Sequence, residues 1–286
     1  MGSQPSMHPG IDHHPAIIYG TAWKEDRTQP LVELALQAGF RGIDTANQRK
    51  HYHEAAVGDA IANAFASGLV RRDELFLQTK FTFRAGQDHR LPYDPAAPIR
   101  EQVEQSFISS LAHLQTKYVD SYLLHGPSTR AGLTDNDWQA WEAIEAIHDS
   151  GRARAIGVSN VNVGQLQLLL DQARVRPRFV QNRCYASQGW DREMRELSSA
   201  HQIVYQGFSL LTANRTVLAH PDVVRIAQRL ACGVPQVVFR FAMDIGIMPL
   251  TGTTSENHMR DDLAADQLDL SQRAIAILEH LGEHSS

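Results

Sequence analysis

The stretch RGIDTANQRKHYHEAAVG, Arg41 to Gly58, joins a short buried-strand pattern to a dense group of titratable side chains. The apolar pair Gly42-Ile43 leads directly into Asp44, and every residue from Arg49 to Glu54 carries an ionisable group. A helix-like AAVG follows at residues 55–58. A strand that ends on a carboxylate before such a cluster indicates a polar site at the carboxyl end of that strand.

Short apolar runs alternate with helically spaced segments along the whole 286-residue chain. Such runs are typical of parallel strands buried on both faces, and the alternation predicts a parallel sheet with right-handed crossovers. Eight units in a chain of this length predict a (β/α)8 barrel, which typically needs about 250 residues. A doubly wound sheet is the alternative, but no GxGxxG fingerprint opens a helix after an early strand. The predicted strands are residues 16–21, 42–45, 75–81, 119–125, 153–160, 179–182, 203–209 and 246–252.

Helical spacing is clearest between the predicted third and fourth strands. Val103, Phe107, Leu111 and Leu114 recur at intervals that place them on one face of a helix. No linker rich in Pro, Gly or Ser divides the chain. We therefore expect one barrel domain over residues 16–286, after a disordered or extended lead-in at residues 1–15.

Composition narrows the class of partner and the compartment. The net charge of −5 argues against a basic face for nucleic acid or an anionic membrane. Two cysteines fit a reducing compartment, no apolar run reaches the roughly 18 residues of a membrane span, and the N-terminus lacks a signal-peptide core. We expect a cytoplasmic protein without nucleic-acid or membrane partners. Its Leu- and Ala-rich helix faces resemble stripes that pack on the barrel, so a monomer is expected, with a dimer as the alternative.

Polar side chains stand at or near the carboxyl ends of five predicted strands. Asp44 follows Gly-Ile, Lys80 follows Phe-Leu-Gln-Thr, and His125 follows Tyr-Leu-Leu. Ser159-Asn160 and Gln181 close two later strands in the same way. One such residue alone is usually a solvated loop residue, but the carboxyl ends of barrel strands meet at one mouth, where barrel enzymes carry their active sites.

The chain resembles the aldo-keto reductase family from about Ile17 to Leu263. The resemblance rests on the motifs GTAW (20–23), GIDTA (42–46), YLLHGP (122–127), GVSN (157–160) and PLTGTTS (249–255). It implies an NAD(P)H-dependent carbonyl reductase with the tetrad Asp44, Tyr52, Lys80 and His125. In that mechanism Tyr52 donates a proton to the developing alkoxide, Lys80 lowers the pKa of Tyr52, Asp44 keeps Lys80 charged, and His125 orients the substrate.

The spacing of Tyr52 departs from the family pattern. In typical members the tyrosine lies five residues after the aspartate, where this chain has Arg49. We interpret the difference as an insertion that still delivers the Tyr52 phenol to the mouth. The alternative is that Tyr52 packs on the following helix and the proton donor is lost. Two other tetrad residues have structural alternatives to a catalytic role. Asp44 could be a turn residue, and His125 could be an ordinary loop histidine.

The resemblance also implies a cofactor site. Ser159, Asn160 and Gln181 would contact the nicotinamide carboxamide, and Phe208 would stack on the ring unless it is a core aromatic. The loop at residues 252–255 lies between the predicted eighth strand and the helix that follows it. Its backbone N–H groups and the dipole of that helix would bind phosphate. The further predicted cofactor residues are Gly20, Thr21, Ala22, Asp44, Ser209, Leu210, Leu211, Thr251, Gly252, Thr253, Thr254, His258 and Asp262.

Cofactor preference and substrate are less constrained. Leu250 and His258 stand where NADPH-preferring relatives often carry lysine and arginine, so NADPH is predicted with NADH as the alternative. We expect the substrate to be a small-molecule aldehyde or ketone, bulky in size, and we expect no metal ion. The loops at 84–98 and 127–137 are long enough to gate the mouth, and the site is expected to be open, with little C-terminal cover. A regulatory or scaffold barrel that binds NADP(H) with little turnover is the alternative function. The predicted substrate residues are Trp23, Tyr52, Phe81, His125, Tyr185 and Trp190.

Overall fold

The computed structural model describes residues 14–283, so the predicted lead-in at residues 1–15 lies almost wholly outside the described residues. Eight parallel strands pair in sequence order, and the last pairs with the first, which closes the barrel. The predicted (β/α)8 fold is confirmed, as a single domain, and the doubly wound sheet is excluded. The strands are β1 Ile18–Gly20, β2 Gly42–Asp44, β3 Phe76–Phe81, β4 Val119–Leu124, β5 Ala153–Ser159, β6 Phe179–Arg183, β7 Val204–Phe208 and β8 Ile247–Thr251. Seven of the eight strands lie inside their predicted ranges, and β6 runs one residue further, to Arg183.

The helices surround this barrel. The predicted helical stripe lies on the third helix, where Val103 and Phe107 are fully buried. No helix within residues 14–283 is both long and apolar enough to cross a membrane. The helices are α1 Thr28–Ala38, α2 Glu54–Ala66, α3 Ile99–His113, α4 Asp135–Asp149, α5 Val163–Gln172, α6 Arg192–Ala200, α7 Arg215–Leu218, α8 Pro221–Arg229, α9 Val234–Asp244, α10 Glu256–Ala264 and α11 Gln272–Glu283.

The barrel interior changes from apolar to polar along the strands. Strand β3 illustrates this, because Phe76, Gln78 and Lys80 are alternate residues and so share the inward face. Phe76 belongs to an apolar cluster with Phe179, whereas Gln78 hydrogen-bonds Gln206 across the barrel and Lys80 pairs with Asp44. The polar layer therefore lies at the carboxyl ends of the strands, where the strand-end residues converge.

Candidate active site

A buried ion pair forms the floor of the site. Register pairs Asp44 of β2 with Gln78 of β3, which brings Lys80 alongside the carboxylate. Lys80 is fully buried, and its Nζ lies 2.6 and 2.7 Å from the two Asp44 carboxylate oxygens and 2.8 Å from the Thr45 carbonyl oxygen. Burial lowers the pKa of Lys80, and the adjacent Asp44 carboxylate opposes that shift. Gln78 and Gln181 each donate a further hydrogen bond to Asp44 Oδ1.

His125 lies beside this pair, at the end of β4. Its backbone N–H donates to the Phe81 carbonyl at 2.8 Å, which continues the β3–β4 ladder by one rung. Its Nδ1 lies 2.6 Å from the Thr82 hydroxyl oxygen. Burial, with a smaller contribution from the charge of Lys80, lowers the pKa of His125 to about 3. The imidazole is therefore neutral at physiological pH and can act as a hydrogen-bond donor but not as a cation.

The structure places the Tyr52 ring at the mouth, next to both groups. Lys80 Nζ lies 5.5 Å from the centre of the Tyr52 ring, and the Tyr52 and His125 ring centroids are 5.9 Å apart. The residues before Tyr52 form a tight turn, in which the backbone N–H groups of His51 and Tyr52 both donate to the Gln48 carbonyl. This turn holds the phenol over the ion pair despite the longer spacing from Asp44.

The electrostatics of Tyr52 differ from the expected pattern. Lys80 was expected to lower the pKa of Tyr52, but burial raises it well above its ordinary value, and the negative charge of Asp44 adds to the shift. Lys80 directs its donors to Asp44 and Thr45, and within residues 14–283 the Tyr52 hydroxyl has no hydrogen-bond partner. Burial is the larger effect here, so the phenol keeps its proton at neutral pH.

A cavity of about 680 Å³ opens at this mouth. Trp23 stands at its rim with 66% of its surface exposed, and its ring centroid lies 4.0 Å from that of His51. Lys80 lies beneath the cavity, behind Asp44. The predicted residues that line it are Gly20, Ala22, Trp23, Asp44, Tyr52, His125, Ser159, Asn160, Gln181, Phe208, Ser209, Leu210, Leu211, Thr251, Gly252 and Thr253.

Three aromatic residues predicted to contact substrate do not line this cavity. Phe81 follows Lys80 and so faces outward, where it packs against Phe83 and Tyr93. Trp190 is fully buried, and its indole N–H donates to the Leu278 carbonyl of α11 at 2.9 Å. Tyr185 is half-buried and also lies outside the cavity wall.

Four predicted cofactor residues also lie outside the wall. Thr21 is buried, and its hydroxyl donates to the Asp44 carbonyl at 2.9 Å, so it supports the aspartate backbone. Asp262 is buried beneath the last loop and accepts a 2.6 Å hydrogen bond from the Thr251 hydroxyl; burial raises the pKa of Asp262 to about 6. Thr254 and His258 are exposed beyond the rim.

The predicted gating loop at 84–98 is tied to the turn that precedes Tyr52. Gln48 donates to the Gly86 carbonyl at 2.6 Å, and Gln87 donates to the Asn47 carbonyl at 2.8 Å. Tyr93, which is 6% exposed, donates its hydroxyl proton to the Thr82 carbonyl at 2.9 Å. These buried contacts make the segment part of the wall that supports the site.

Sequence reasoning missed Lys24, which lines the cavity. Its side chain is 5% exposed, hydrogen-bonds the Gly252 carbonyl, and lies 5.6 Å from the centre of the Tyr19 ring. Within the described part of the chain no carboxylate forms an ion pair with it, and burial lowers the pKa of Lys24 to about 8. Its position directly after the GTAW motif was the available signal. His51, which was expected at the rim, and Leu250, which was expected at the cofactor end, also line the cavity. The other lining residues that were missed are Gln48, Arg183, Thr212 and Phe239.

The amide side chains leave two acceptors open toward the cavity. Asn160 Nδ2 donates to the His125 carbonyl and to the Ser159 hydroxyl oxygen. Gln181 Nε2 donates to Asp44 and to Gln206. Among residues 14–283 no donor binds Asn160 Oδ1 or Gln181 Oε1, so both oxygens fit the N–H groups of a nicotinamide carboxamide.

The mouth of this closed (β/α)8 barrel thus brings together a phenol, a neutral imidazole and a buried Lys–Asp pair. The sequence profile of the Aldo/keto reductase family matches residues 16–283, and the chain belongs to that family.

Individual relatives agree with this assignment. Deoxymugineic acid synthase 1-B of Triticum aestivum is 32% identical, over 90% of this chain and 84% of its own length. A crystal structure of an aldo/keto reductase from Brucella melitensis superposes with a TM-score of 0.80 at 26% identity, covering 94% of this chain and 96% of the other. A Bombyx mori aldo-keto reductase in complex with NADP has the same fold, with a TM-score of 0.77 at 24% identity, covering 95% of this chain and 90% of the other.

Proposed function

We propose that this protein is an NAD(P)H-dependent reductase that converts the carbonyl group of an aldehyde or ketone to an alcohol. The observation that carries the proposal is the meeting of Tyr52, His125 and the buried Asp44–Lys80 pair at the mouth of one cavity. Reduced nicotinamide, when bound, supplies the hydride. The residues of this chain orient the carbonyl and supply the proton.

Tyr52 is the proton donor in this proposal. As hydride reaches the carbonyl carbon, negative charge develops on the oxygen, and a nearby acid must neutralise it. A phenol with its ordinary pKa of about 10 is already protonated at neutral pH, and burial raises the pKa of Tyr52 further, so the proton is present before the reaction. Because the raised pKa also makes Tyr52 a weaker acid, the phenolate must be stabilised as the proton leaves. Lys80, 5.5 Å from the ring centre, stabilises the phenolate that remains.

His125 assists as a neutral hydrogen-bond donor to the same oxygen. A neutral imidazole can hold the carbonyl in place without competing with Tyr52 for the role of acid. The Asp44 carboxylate keeps positive charge on Lys80 against the desolvation that would neutralise it.

Residues along the cavity fit the cofactor. Phe208 offers a face for the nicotinamide ring, and Asn160 Oδ1 and Gln181 Oε1 offer acceptors for its carboxamide. Lys24 is a buried ammonium without a carboxylate partner in the described residues, and an anionic phosphate would complete its coordination. Lys24 thus supplies a cation near the position where Leu250 replaces the lysine of NADPH-preferring relatives. We propose NADPH as the preferred cofactor, with NADH as the alternative.

The substrate proposed is a bulky small-molecule carbonyl compound. The volume of about 680 Å³ is shared by the nicotinamide and the substrate, and the exposed Trp23 indole can cover an apolar substrate surface at the rim. We also propose that the protein acts as a monomer in the cytoplasm, and sedimentation velocity tests the first of these statements.

Turnover is tested by mixing the protein with NADPH or NADH and 4-nitrobenzaldehyde and following the absorbance of the reduced nicotinamide. We expect turnover, faster with NADPH, and a loss of about 100-fold or more in Tyr52→Phe, the usual scale for a general acid. Cofactor fluorescence quenching without turnover of any aldehyde or ketone would favour the NADP(H)-binding scaffold instead. Unchanged activity in Tyr52→Phe would remove Tyr52 from the mechanism.

A further inference from the structure

Thr82 and His125 occupy the rung just beyond the paired ends of β3 and β4. Register pairs Phe81 with Leu124, and the next residues on the two strands are Thr82 and His125. Thr82 has the same inward orientation as Lys80 because the two are alternate residues. Its side chain is 6% exposed, and its hydroxyl oxygen lies 2.6 Å from His125 Nδ1.

We propose that Thr82 is a positioning residue that fixes His125 as the tautomer with its proton on Nε2. The contact could form in two directions, with the proton on either partner. If Nδ1 donated, the Thr82 hydroxyl hydrogen would need another acceptor, and its oxygen has no second partner within residues 14–283. If the hydroxyl donates to Nδ1, both groups are satisfied, and the ring proton lies on Nε2.

The wall segment at 84–98 holds Thr82 in this orientation. The Thr82 carbonyl accepts hydrogen bonds from the Tyr93 hydroxyl at 2.9 Å and from Gln87 Nε2 at 3.4 Å. Gly86 packs so closely that a Cβ at that position would lie 2.7 Å from the Thr82 methyl carbon. The hydrogen bonds fix the Thr82 backbone, and the close packing of Gly86 against the Thr82 methyl group restricts rotation of the side chain.

The consequence for catalysis is a donor aimed at the substrate. With its proton on Nε2, His125 can hydrogen-bond the carbonyl oxygen while Nδ1 remains tied to Thr82. The opposite tautomer would present a lone pair to the oxygen that gains negative charge. This kinetic consequence rests on the proposed function, whereas the tautomer itself does not.

Thr82→Val removes the hydroxyl at nearly constant size, and Thr82→Ser retains it. The tautomer is read by ¹⁵N NMR of the His125 ring at pH 7, where the neutral ring gives distinct signals for the protonated and unprotonated nitrogens. We expect Nε2–H in the native protein and in Thr82→Ser, and a mixture of tautomers in Thr82→Val. We expect kcat to fall about tenfold or more in Thr82→Val and to stay within about threefold of native in Thr82→Ser.

Cofactor affinity, measured by fluorescence quenching, should be unchanged in both variants because Thr82 does not line the cavity. An Nδ1–H tautomer in the native protein would overturn the proposal, even if Thr82→Val failed to fold. Native kcat and an unaltered tautomer in a folded Thr82→Val would overturn it as well. Absence of turnover in the native protein would refute the proposed function and leave the NMR result to decide the role of Thr82.

Discussion

Asp44→Asn should destabilise the protein, because it removes the counter-ion of a lysine that has no access to solvent. Breaking a buried ion pair by removing one partner typically costs about 3–5 kcal/mol. A domain of this length has an unfolding entropy of roughly 0.6 kcal/mol/K, so the melting temperature should fall by about 5–8 °C. Lys80 still contacts the Thr45 carbonyl, and this contact places the expected loss toward the lower end of the range.

The matched variants are Lys80→Met and the double variant Asp44→Asn/Lys80→Met. Lys80→Met leaves a buried carboxylate that still accepts hydrogen bonds from Gln78 and Gln181, so its cost should be smaller than that of Asp44→Asn. The double variant buries no unpaired charge and should be less destabilised than the sum of the two single variants. The assay is urea unfolding at pH 7, followed by tryptophan fluorescence and by circular dichroism.

Two results would refute this reasoning. Additive losses in the double variant would mean that the two side chains do not interact energetically despite their 2.6 Å contact. Native stability in the single variant Asp44→Asn, in which Lys80 is unchanged, would mean that the protein buries Lys80 without a counter-ion at no cost.

Two further predictions concern the cofactor end of the cavity. Because burial raises the pKa of Asp262 to about 6, the folded state binds its proton more tightly than the unfolded chain, and the contribution of Asp262 to stability should fall as pH rises from about 4 to 6. Asp262→Asn, which keeps the acceptor for Thr251, should remove that contribution, so the variant should gain stability relative to the native protein as pH rises, by about 1–3 kcal/mol at pH 7. Urea unfolding of both proteins at about pH 4, 6 and 7 measures this difference, and a difference that does not change with pH would exclude Asp262 as its source. Lys24→Met should weaken NADPH binding about tenfold or more in a fluorescence-quenching titration, while the KM for aldehyde stays unchanged. The affinity of the native protein for NADPH should fall as pH rises past about 8, where Lys24 loses its charge. Unaltered affinity in Lys24→Met would exclude Lys24 as a phosphate ligand.

The sequence by itself determined the barrel and the chemistry at its mouth. Apolar runs alternating with helical stripes are local patterns, and together they predicted all eight strands to within one or two residues of each end. Asp44, Lys80 and His125 lie at or next to the carboxyl ends of successive strands, and these ends must meet at one face of a closed barrel. The direction of Phe81 was also available, because a residue next to an inward-facing Lys80 must face outward.

Only the tertiary structure decided which aromatic side chains reach the cavity and what charges they meet. Trp190 is buried against Phe241 and donates its indole N–H to the Leu278 carbonyl, contacts with residues 51 and 88 positions away that no local pattern records. The raised pKa of Tyr52 and the absence of a carboxylate beside Lys24 among the described residues both depend on the packing of distant segments. Burial and charge pairing are sums over neighbours in space, whereas periodicity and motifs report only neighbours along the chain.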